Sequence, residues 1–477
     1  MSFISFNFLI FFPLVVIFFF MTPAKYRWII LLISSYFFYI NIKPVYALLV
    51  AGITLSTFIF TLLIARTAVE SKRKTYMILN IFLILIPLLF FKYFSVINNS
   101  ILSVLEKNNL VWPLPEFKLL LPVGISFYTF VAIGYTVDVY NEEVDVEKNP
   151  GILALFLAFF PLILSGPIER AKNMLPQFRS PRYFNYDNAV RGLKFMLWGY
   201  FMKLVVADRI DLYVDAVYSN ISQHNGSTFI LASVLHPFQV YADLGGYSLI
   251  AIGTAQVLGY NVMCNFNRPF FSTSMAAFWR RWHISLISWL TDYIYTPLAF
   301  SFRRKKIFGI VLALMLTFLI SGIWHGAKLT HIIWGLSQGI FLSLEALTYN
   351  KRTTFEKKHN LLKRPFYLFL SMVITYVLFT ASMIFARSEN INDALAIYRK
   401  IFTESGPIYL EMTTLAYSFL GLLILFIKDL SDEFFPGRFL FFNNSNILIR
   451  YASYLLIIFL VLFIGVLNGS QFIYFQF

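Results

Sequence analysis

The chain holds six histidines, at positions 224, 236, 283, 325, 331 and 359. Imidazole is the usual general base near neutral pH, so these are the first residues to weigh. His325 is the best placed. It follows Trp324 and precedes Gly326 in Gly322-Ile323-Trp324-His325-Gly326-Ala327, a turn between two apolar stretches. A glycine there lets another backbone or a substrate come close. The bland alternative is a buried histidine hydrogen-bonded to a nearby carbonyl. His283 lies in Phe278-Trp279-Arg280-Arg281-Trp282-His283-Ile284-Ser285-Leu286-Ile287-Ser288-Trp289-Leu290. Apolar residues at 279, 282, 286, 289 and 290 have helical spacing, with Arg280, Arg281, Ser285 and Ser288 largely on the other side. That pattern fits an interfacial amphipathic helix with snorkelling arginines. The sharper alternative, which the residues alone favour less, is a helix lining a cavity, with His283 inward and the arginines near an anionic substrate.

Tyr241-Ala242-Asp243-Leu244-Gly245-Gly246-Tyr247-Ser248 sets a carboxylate and three hydroxyls in apolar surroundings. A buried Asp243 needs a partner, and a structural polar network is as reasonable a role as catalysis. A Walker A loop, a His-Glu-x-x-His pair and a Gly-x-Ser-x-Gly elbow are all absent from the sequence. ATP-driven transport, zinc hydrolysis and serine hydrolysis on this chain lose support accordingly. The histidines lack metal-ligand spacing, and Cys264 is the single cysteine, so no metal site is expected.

The elements that must position these residues are apolar. Hydrophobic residues make up 58% of the 477, aromatics 19% and charged residues 13%, against roughly 25% charged in soluble domains. Mean hydropathy is +0.70. No soluble fold hides that much apolar surface, and a disordered chain would be poor in it. The expectation is an all-α polytopic membrane protein, a single multi-pass domain over 1–477, with spans of ~20 residues. Candidate segments are 1–21, 28–41, 45–65, 76–95, 119–137, 151–165, 188–206, 246–262, 308–324, 331–348, 365–386, 412–428 and 449–467. The first lacks a basic n-region and a small-residue cleavage site, so it is read as a retained span.

The net charge of +15 could suggest nucleic acid. The basic residues sit in short runs between apolar segments, which instead fits cytoplasmic loops. Three such runs are Lys72–Lys74, Arg303–Lys306 and Lys351–Arg364. Counting from them puts both termini outside and His325 toward the outer side. Arg170, Lys172, Arg179 and Arg182 break the alternation. Pro122, Gly124 and Gly134 would interrupt 119–137, so one of segments 119–137 and 151–165 is expected not to cross. Irregular backbone at membrane depth is tolerated only inside protein or beside a watery cavity, which points to an internal site.

Together these motifs resemble the membrane-bound O-acyltransferase (MBOAT) family. The stretch from Phe278, Phe-Trp-Arg-Arg-Trp-His-Ile-Ser-Leu, through Asp292-Tyr-Ile-Tyr-Thr-Pro-Leu298 carries the resemblance, as do Ser321-Gly-Ile-Trp-His-Gly-Ala327 and Trp334-Gly335. Leu121-Pro-Val-Gly-Ile-Ser-Phe-Tyr128, Ser165-Gly-Pro-Ile-Glu-Arg170 and Tyr247-Ser-Leu-Ile-Ala-Ile-Gly253 are similar to the bacterial branch serving envelope polymers such as alginate and peptidoglycan. The likeness is densest from 120 to 340. It implies a toroidal helical bundle with re-entrant and interfacial helices, thinned at its centre, in the bacterial cytoplasmic (inner) membrane. A cytoplasmic tunnel would admit an acyl thioester, and an outer funnel would face the acceptor. The family's essential histidine maps onto His325 and its second polar position onto His283. Arg280, Arg281, Trp282, Trp324, Asp243, Tyr247 and Asp292 are the supporting or substrate-contacting candidates. Two departures stand out. Related chains often carry Asp-Phe-Ser-Gly-Tyr-Ser-Asp where this one has Asp243-Leu-Gly-Gly-Tyr-Ser-Leu249, and Pro-Leu-Gly-Gly where it has Pro297-Leu-Ala-Phe300. The first removes a carboxylate and weighs against catalysis there.

The final stretch, Gly469-Ser-Gln-Phe-Ile-Tyr-Phe-Gln-Phe477, resembles a terminal motif of related envelope acylation systems. Its tyrosine, here Tyr474, would carry the acyl group as an ester. An aromatic membrane-interface anchor is the alternative. The resemblance implies acetyl-CoA as donor substrate, no bound cofactor, and an SGNH-hydrolase-like partner outside that passes the acetyl group to a polysaccharide. Membrane lipids surround the chain, and nucleic acid is not expected. The rivals are a D-alanyl transferase for teichoic acid fed by a carrier protein, a non-covalent transporter or flippase, and a membrane scaffold.

Overall fold

A computed structural model describes residues 1–108, 122–436, 441–467 and 469. All regular elements among the described residues are helical. The chain divides into two compact units, one of residues 1–193 and 251–263, the other of 194–250 and 264–476.

In the first unit, α1 (Phe6–Met21), α2 (Arg27–Ile40), α3 (Pro44–Arg66), α4 (Glu70–Lys107) and α5 (Ile125–Tyr140) are the long elements. Phe38 of α2 packs edge-on to Phe8 of α1, with ring centroids 6.2 Å apart. Apolar packing alone drives little association in lipid, so polar contacts between helices carry weight. One such contact joins three helices. Ser56 of α3 donates to Asn80 Oδ1 at 2.7 Å. Asn80 Nδ2 of α4 donates to Thr136 Oγ1 of α5 at 2.8 Å.

Irregular backbone is expected near 119–165, and the described part, 122–165, contains it. Helix α5 begins after Pro122 and Gly124 and runs unbroken through Gly134, so that glycine does not interrupt it. Residues 119–121 lie outside the described residues. Gly124 has φ +80° and sits where any Cβ would collide with the Ile163 carbonyl. The interruption falls in 151–165 instead. There α6 (Pro150–Ala158) ends at Phe159, whose backbone leaves the helical region, and α7 (Phe160–Ile163) is one short turn. A nine-residue helix rises about 14 Å, under half of a ~30 Å bilayer core. Beyond it, α8 (Ala171–Arg179) carries part of the anomalous basic cluster. Arg179 is paired with Glu147 at 2.6 Å, and Arg182 lies over the Tyr260 ring at 5.3 Å. Glu169, just before α8, accepts from Asn173 Nδ2 at 2.9 Å and from the Met263 amide. Burial pushes its carboxyl above the usual range.

Helix α9 (Tyr186–Tyr200) leads into a π-helical turn, Phe201–Ala207, then α10 (Asp208–Tyr218) and the 32-residue α11 (Gly226–Val257). Of the segment read as 246–262, residues 246–257 are therefore the end of a longer helix that passes Pro237, and 258–262 lie beyond it. The remaining elements belong to the second unit: α12 (Met275–Trp279), α13 (Ile284–Leu290), α14 (Thr296–Ser301), α15 (Ile307–His325), α16 (Leu329–Lys358), α17 (Pro365–Arg387), α18 (Ile391–Thr403), α19 (Met412–Phe434) and α20 (Ile447–Phe463). Among the described residues, five helices are long and apolar enough to cross a membrane: α3, Glu70–Phe94 of α4, α15, α17 and α19. Shorter apolar helices cover Phe6–Met21, Pro150–Ile163 and Ile447–Phe463. The protein is an all-α polytopic membrane protein.

The Ser56–Asn80–Thr136 bridge predicts that Asn80→Ala costs about 1–2 kcal/mol, the upper range for hydrogen bonds between membrane helices. The unfolding midpoint of the detergent-solubilised protein should fall by several degrees. An unchanged midpoint would mean the bridge holds nothing together.

Candidate active site

Helices α15 and α16 form a tight hairpin. A Cβ built on Gly335 would stand 2.8 Å from Gly322 Cα, so the two backbones touch with no side chain between them. His325 is the last residue of α15. The hairpin sets its ring between two indoles, 4.7 Å from Trp324 and 4.8 Å from Trp334 by centroid, both near edge-on. Its surroundings leave it half-buried while Trp324 and Trp334 are buried. His331, in the first turn of α16, is also buried, and its ring fills the space beside Gly326.

The aromatic contacts continue through the Phe278 motif. Trp334 meets Trp279 at 6.1 Å, and Trp279 meets Phe278 at 5.7 Å. Phe278 stacks on Trp282 at 5.3 Å, Trp282 meets Phe266 at 5.2 Å, and Phe266 meets His283 at 6.2 Å. An unbroken chain of aromatic contacts thus connects the two candidate histidines.

The expected continuous helix over 278–290 is broken. Helix α12 stops at Trp279, α13 starts at Ile284, and the break falls on residues 280–283. His283 itself adopts φ +46°, ψ +51°, in the left-handed region. For a residue with a side chain this is uncommon and mildly strained, and such strain gathers where surrounding structure over-determines it. The surroundings do so here. Asn265 receives the Ile284 amide on its carbonyl at 2.8 Å. Its Oδ1 accepts from the Ser285 amide at 3.2 Å and from Ser285 Oγ at 2.7 Å. The Asn267 amide donates to the Arg281 carbonyl at 2.9 Å. His283 is 2% exposed, and burial pushes its imidazole down to about 3. It is therefore neutral at physiological pH, suited to orienting or accepting a proton but not to supplying a fixed positive charge.

The two arginines of the motif part company. Arg280 is exposed. Arg281 is committed to Glu433 at 2.9 Å, and Glu433 also holds Arg268 at 3.0 Å. Glu433 is on the last turn of α19. One turn earlier, Asp429 accepts from the Tyr241 hydroxyl at 2.9 Å. The polar end of α19 thus clamps the segment carrying His283 and the helix carrying Asp243.

Asp243 lies 2.5 Å from Lys203 Nζ, which also holds Asp208 at 2.8 Å, all three nearly sealed from solvent. Lys203 Nζ sits 5.5 Å from the buried Tyr247 ring. The three side chains form a buried ionic network. Asp292 is exposed on the π-helical turn Thr291–Tyr295, and Trp282 is buried in the aromatic lining. Tyr474 lies outside the described residues. Of the other histidines, His236 is bonded to Gln239 at 2.8 Å, and His359 is exposed.

Sequence reading did not single out Lys203, Asn265, Asp429 or Glu433. A lone lysine inside the apolar run 201–207 was one available signal. The charged close of α19, Lys428-Asp-Leu-Ser-Asp-Glu433, was another.

A family model described as MBOAT, membrane-bound O-acyltransferase family, matches residues 116–384. The probable alginate O-acetylase AlgI of Pseudomonas putida is 32% identical over 439 residues, covering 92% of this chain and 87% of that protein. The peptidoglycan O-acetyltransferase of Helicobacter pylori is 30% identical over 419 residues, covering 82% and 76%. A teichoic acid D-alanyltransferase of Streptococcus thermophilus is 27% identical over 290 residues, covering 58% and 66%.

The clamp yields a prediction. Glu433→Gln removes two ion pairs without touching either histidine. A reacting group displaced by ~1 Å can lose roughly 100-fold in rate, so turnover should fall at least ten-fold while the purified protein stays monodisperse. Wild-type turnover in this variant would show that the clamp does not position the His283 segment.

Proposed function

The chain belongs to the membrane-bound O-acyltransferase family, and from that premise we propose that it moves acetyl groups from cytoplasmic acetyl-CoA, across the bacterial inner membrane, for O-acetylation of an extracytoplasmic cell-envelope polysaccharide. The enzyme is a multi-pass membrane O-acyltransferase. Similarity to O-acetylating proteins over 92% and 82% of the chain, against 58% for the D-alanylating one, favours acetyl as the group transferred. The observation that carries the chemistry is a half-buried imidazole, His325, held between Trp324 and Trp334 at the end of a membrane-crossing helix.

In this reading His325 takes the proton of the acceptor hydroxyl, most simply that of Tyr474. The phenolic oxygen attacks the thioester carbonyl carbon, a C–O bond forms and the C–S bond breaks. Coenzyme A leaves as the thiolate and collects the proton from His325. General-base assistance contributes roughly 10²–10⁴ in rate, and dry, aligned reactants contribute more. Neutral His283 orients a reactant or accepts a hydrogen bond. Arg280, exposed and on the same motif, is available to the donor's phosphates, whereas Arg281 already serves Glu433. An SGNH-hydrolase-like partner then draws the acetyl group from the tyrosine ester onto its serine and passes it to a polysaccharide hydroxyl.

Purified protein incubated with labelled acetyl-CoA should acquire an acetyl ester on Tyr474, detected by mass mapping of the C-terminal peptide. His325→Ala should slow that labelling by roughly 10²–10⁴, and Tyr474→Phe should abolish it. Full labelling in His325→Ala would remove the histidine from the mechanism. Normal transfer to the polymer by Tyr474→Phe would remove the relay.

A further inference from the structure

The buried Lys203–Asp208–Asp243 cluster has a neighbour from the far end of the chain. Helix α20 ends at Phe463, and the backbone that follows is fastened to the π-helical turn and to α10 at three points. The Val466 amide donates to the Leu204 carbonyl at 3.0 Å. Arg209 Nε donates to the Ile464 carbonyl at 2.7 Å, with the guanidinium also 5.2 Å from the Tyr417 ring. Gly469 lies against the Asp208 carboxylate so closely that a Cβ there would be 2.7 Å from Oδ2. The anchor side is a π-helical turn, a local widening that recurs at functional sites, and Lys203 and Asp208 sit in it and beside it.

We propose that the Lys203–Asp208–Asp243 cluster and the Phe201–Ala207 turn form a seat for the C-terminal segment, gripping it through Gly469 and so setting the reach of Tyr474. The residues of the seat are positioning residues, and the role assigned to Tyr474 rests on the relay reading above. Three considerations support the seat. A buried cation shared by two carboxylates is costly unless its geometry is tightly kept, which makes it a firm fixed point. A Cβ at 469 would crowd Asp208 unless that carboxylate shifted, and Lys203 holds the carboxylate in place, so the segment meets that point most closely with glycine there. Tyr474 is five residues further along the sequence, and five residues of chain span at most about 18 Å. Loss of the grip would leave the reach of Tyr474 unset, and ester formation would slow.

The test uses full-length protein in detergent and two readouts. One is the rate of acetyl-tyrosine formation from labelled acetyl-CoA. The other is amide hydrogen exchange in the peptide covering residues 464–477. Gly469→Val wedges the segment off Asp208, and Arg209→Gln releases Ile464 without touching the buried cluster, so it carries the test if Gly469→Val does not fold. Each variant should exchange at least ten-fold faster in that peptide. Each should also form the ester at least ten-fold more slowly at saturating donor, with the KM for acetyl-CoA unchanged. Tyr474→Phe should exchange like wild type and form no ester. Wild-type exchange in both seat variants overturns the proposal, as does a rise in the acetyl-CoA KM matching the fall in rate, which would signal general damage. If the wild-type protein forms no tyrosine ester, the relay reading fails by itself. Faster exchange in the variants would then still support the seat, and unchanged exchange would still sink it.

Discussion

Gly322 and Gly335 bring the backbones of α15 and α16 into direct contact, and the placement of His325 follows from it. Between membrane helices the driving force is close packing, and small residues are what allow it. With the hairpin closed at that point, the last residue of α15 cannot turn away from α16. Trp334, adjacent to Gly335 in sequence, is brought against the His325 ring. Trp334 also meets Trp279, so the same contact fixes where the short helix α12 lies against the hairpin. A bulkier residue at either glycine would separate the imidazole from the aromatic lining before it disturbed any hydrogen bond.

The polar groups of the second unit follow a consistent division. Side chains facing the two histidines are mostly indole and phenyl rings, which exclude water and carry no charge. The charges that hold those rings in place sit at the backs of the elements: Glu433 with Arg268 and Arg281, Asp429 with Tyr241, Lys203 with Asp208 and Asp243. Such clusters contribute little net stability when intact, yet losing one partner costs roughly 3–5 kcal/mol because a charge is stranded.

The apolar elements were legible because lipid demands long apolar runs: every expected segment overlaps a helix in the described residues, although 151–165 is broken at Phe159 and 258–262 lies beyond the end of α11. His325 was legible because its setting is local: an indole before it, a glycine after it, apolar chain on both sides. The break at 280–283 was not. Trp279, Trp282, Leu286 and Trp289 keep helical spacing across it, since both short helices bury the same aromatic side. What breaks the helix is Asn265, capping α13 from an upstream loop, and periodicity cannot see a cap supplied from elsewhere. Lys203 was hidden for the same reason. One of its carboxylates is near in sequence, but the other, Asp243, is on a different helix.

The left-handed His283 ties these observations together. Its backbone strain is held by Asn265 in front and by the Arg281–Glu433 pair behind, so the conformation depends on two loops and the end of α19 at once. A regular helix over the same residues would satisfy its own hydrogen bonds at no strain and would carry His283 along one continuous face. The broken form instead turns the chain at that residue and buries the ring against Phe266. A neutral imidazole in a dry aromatic wall can hold a polar reactant in one orientation, because the wall offers that reactant few competing partners. The backbone strain would suit the proposed transfer, which needs above all alignment without water.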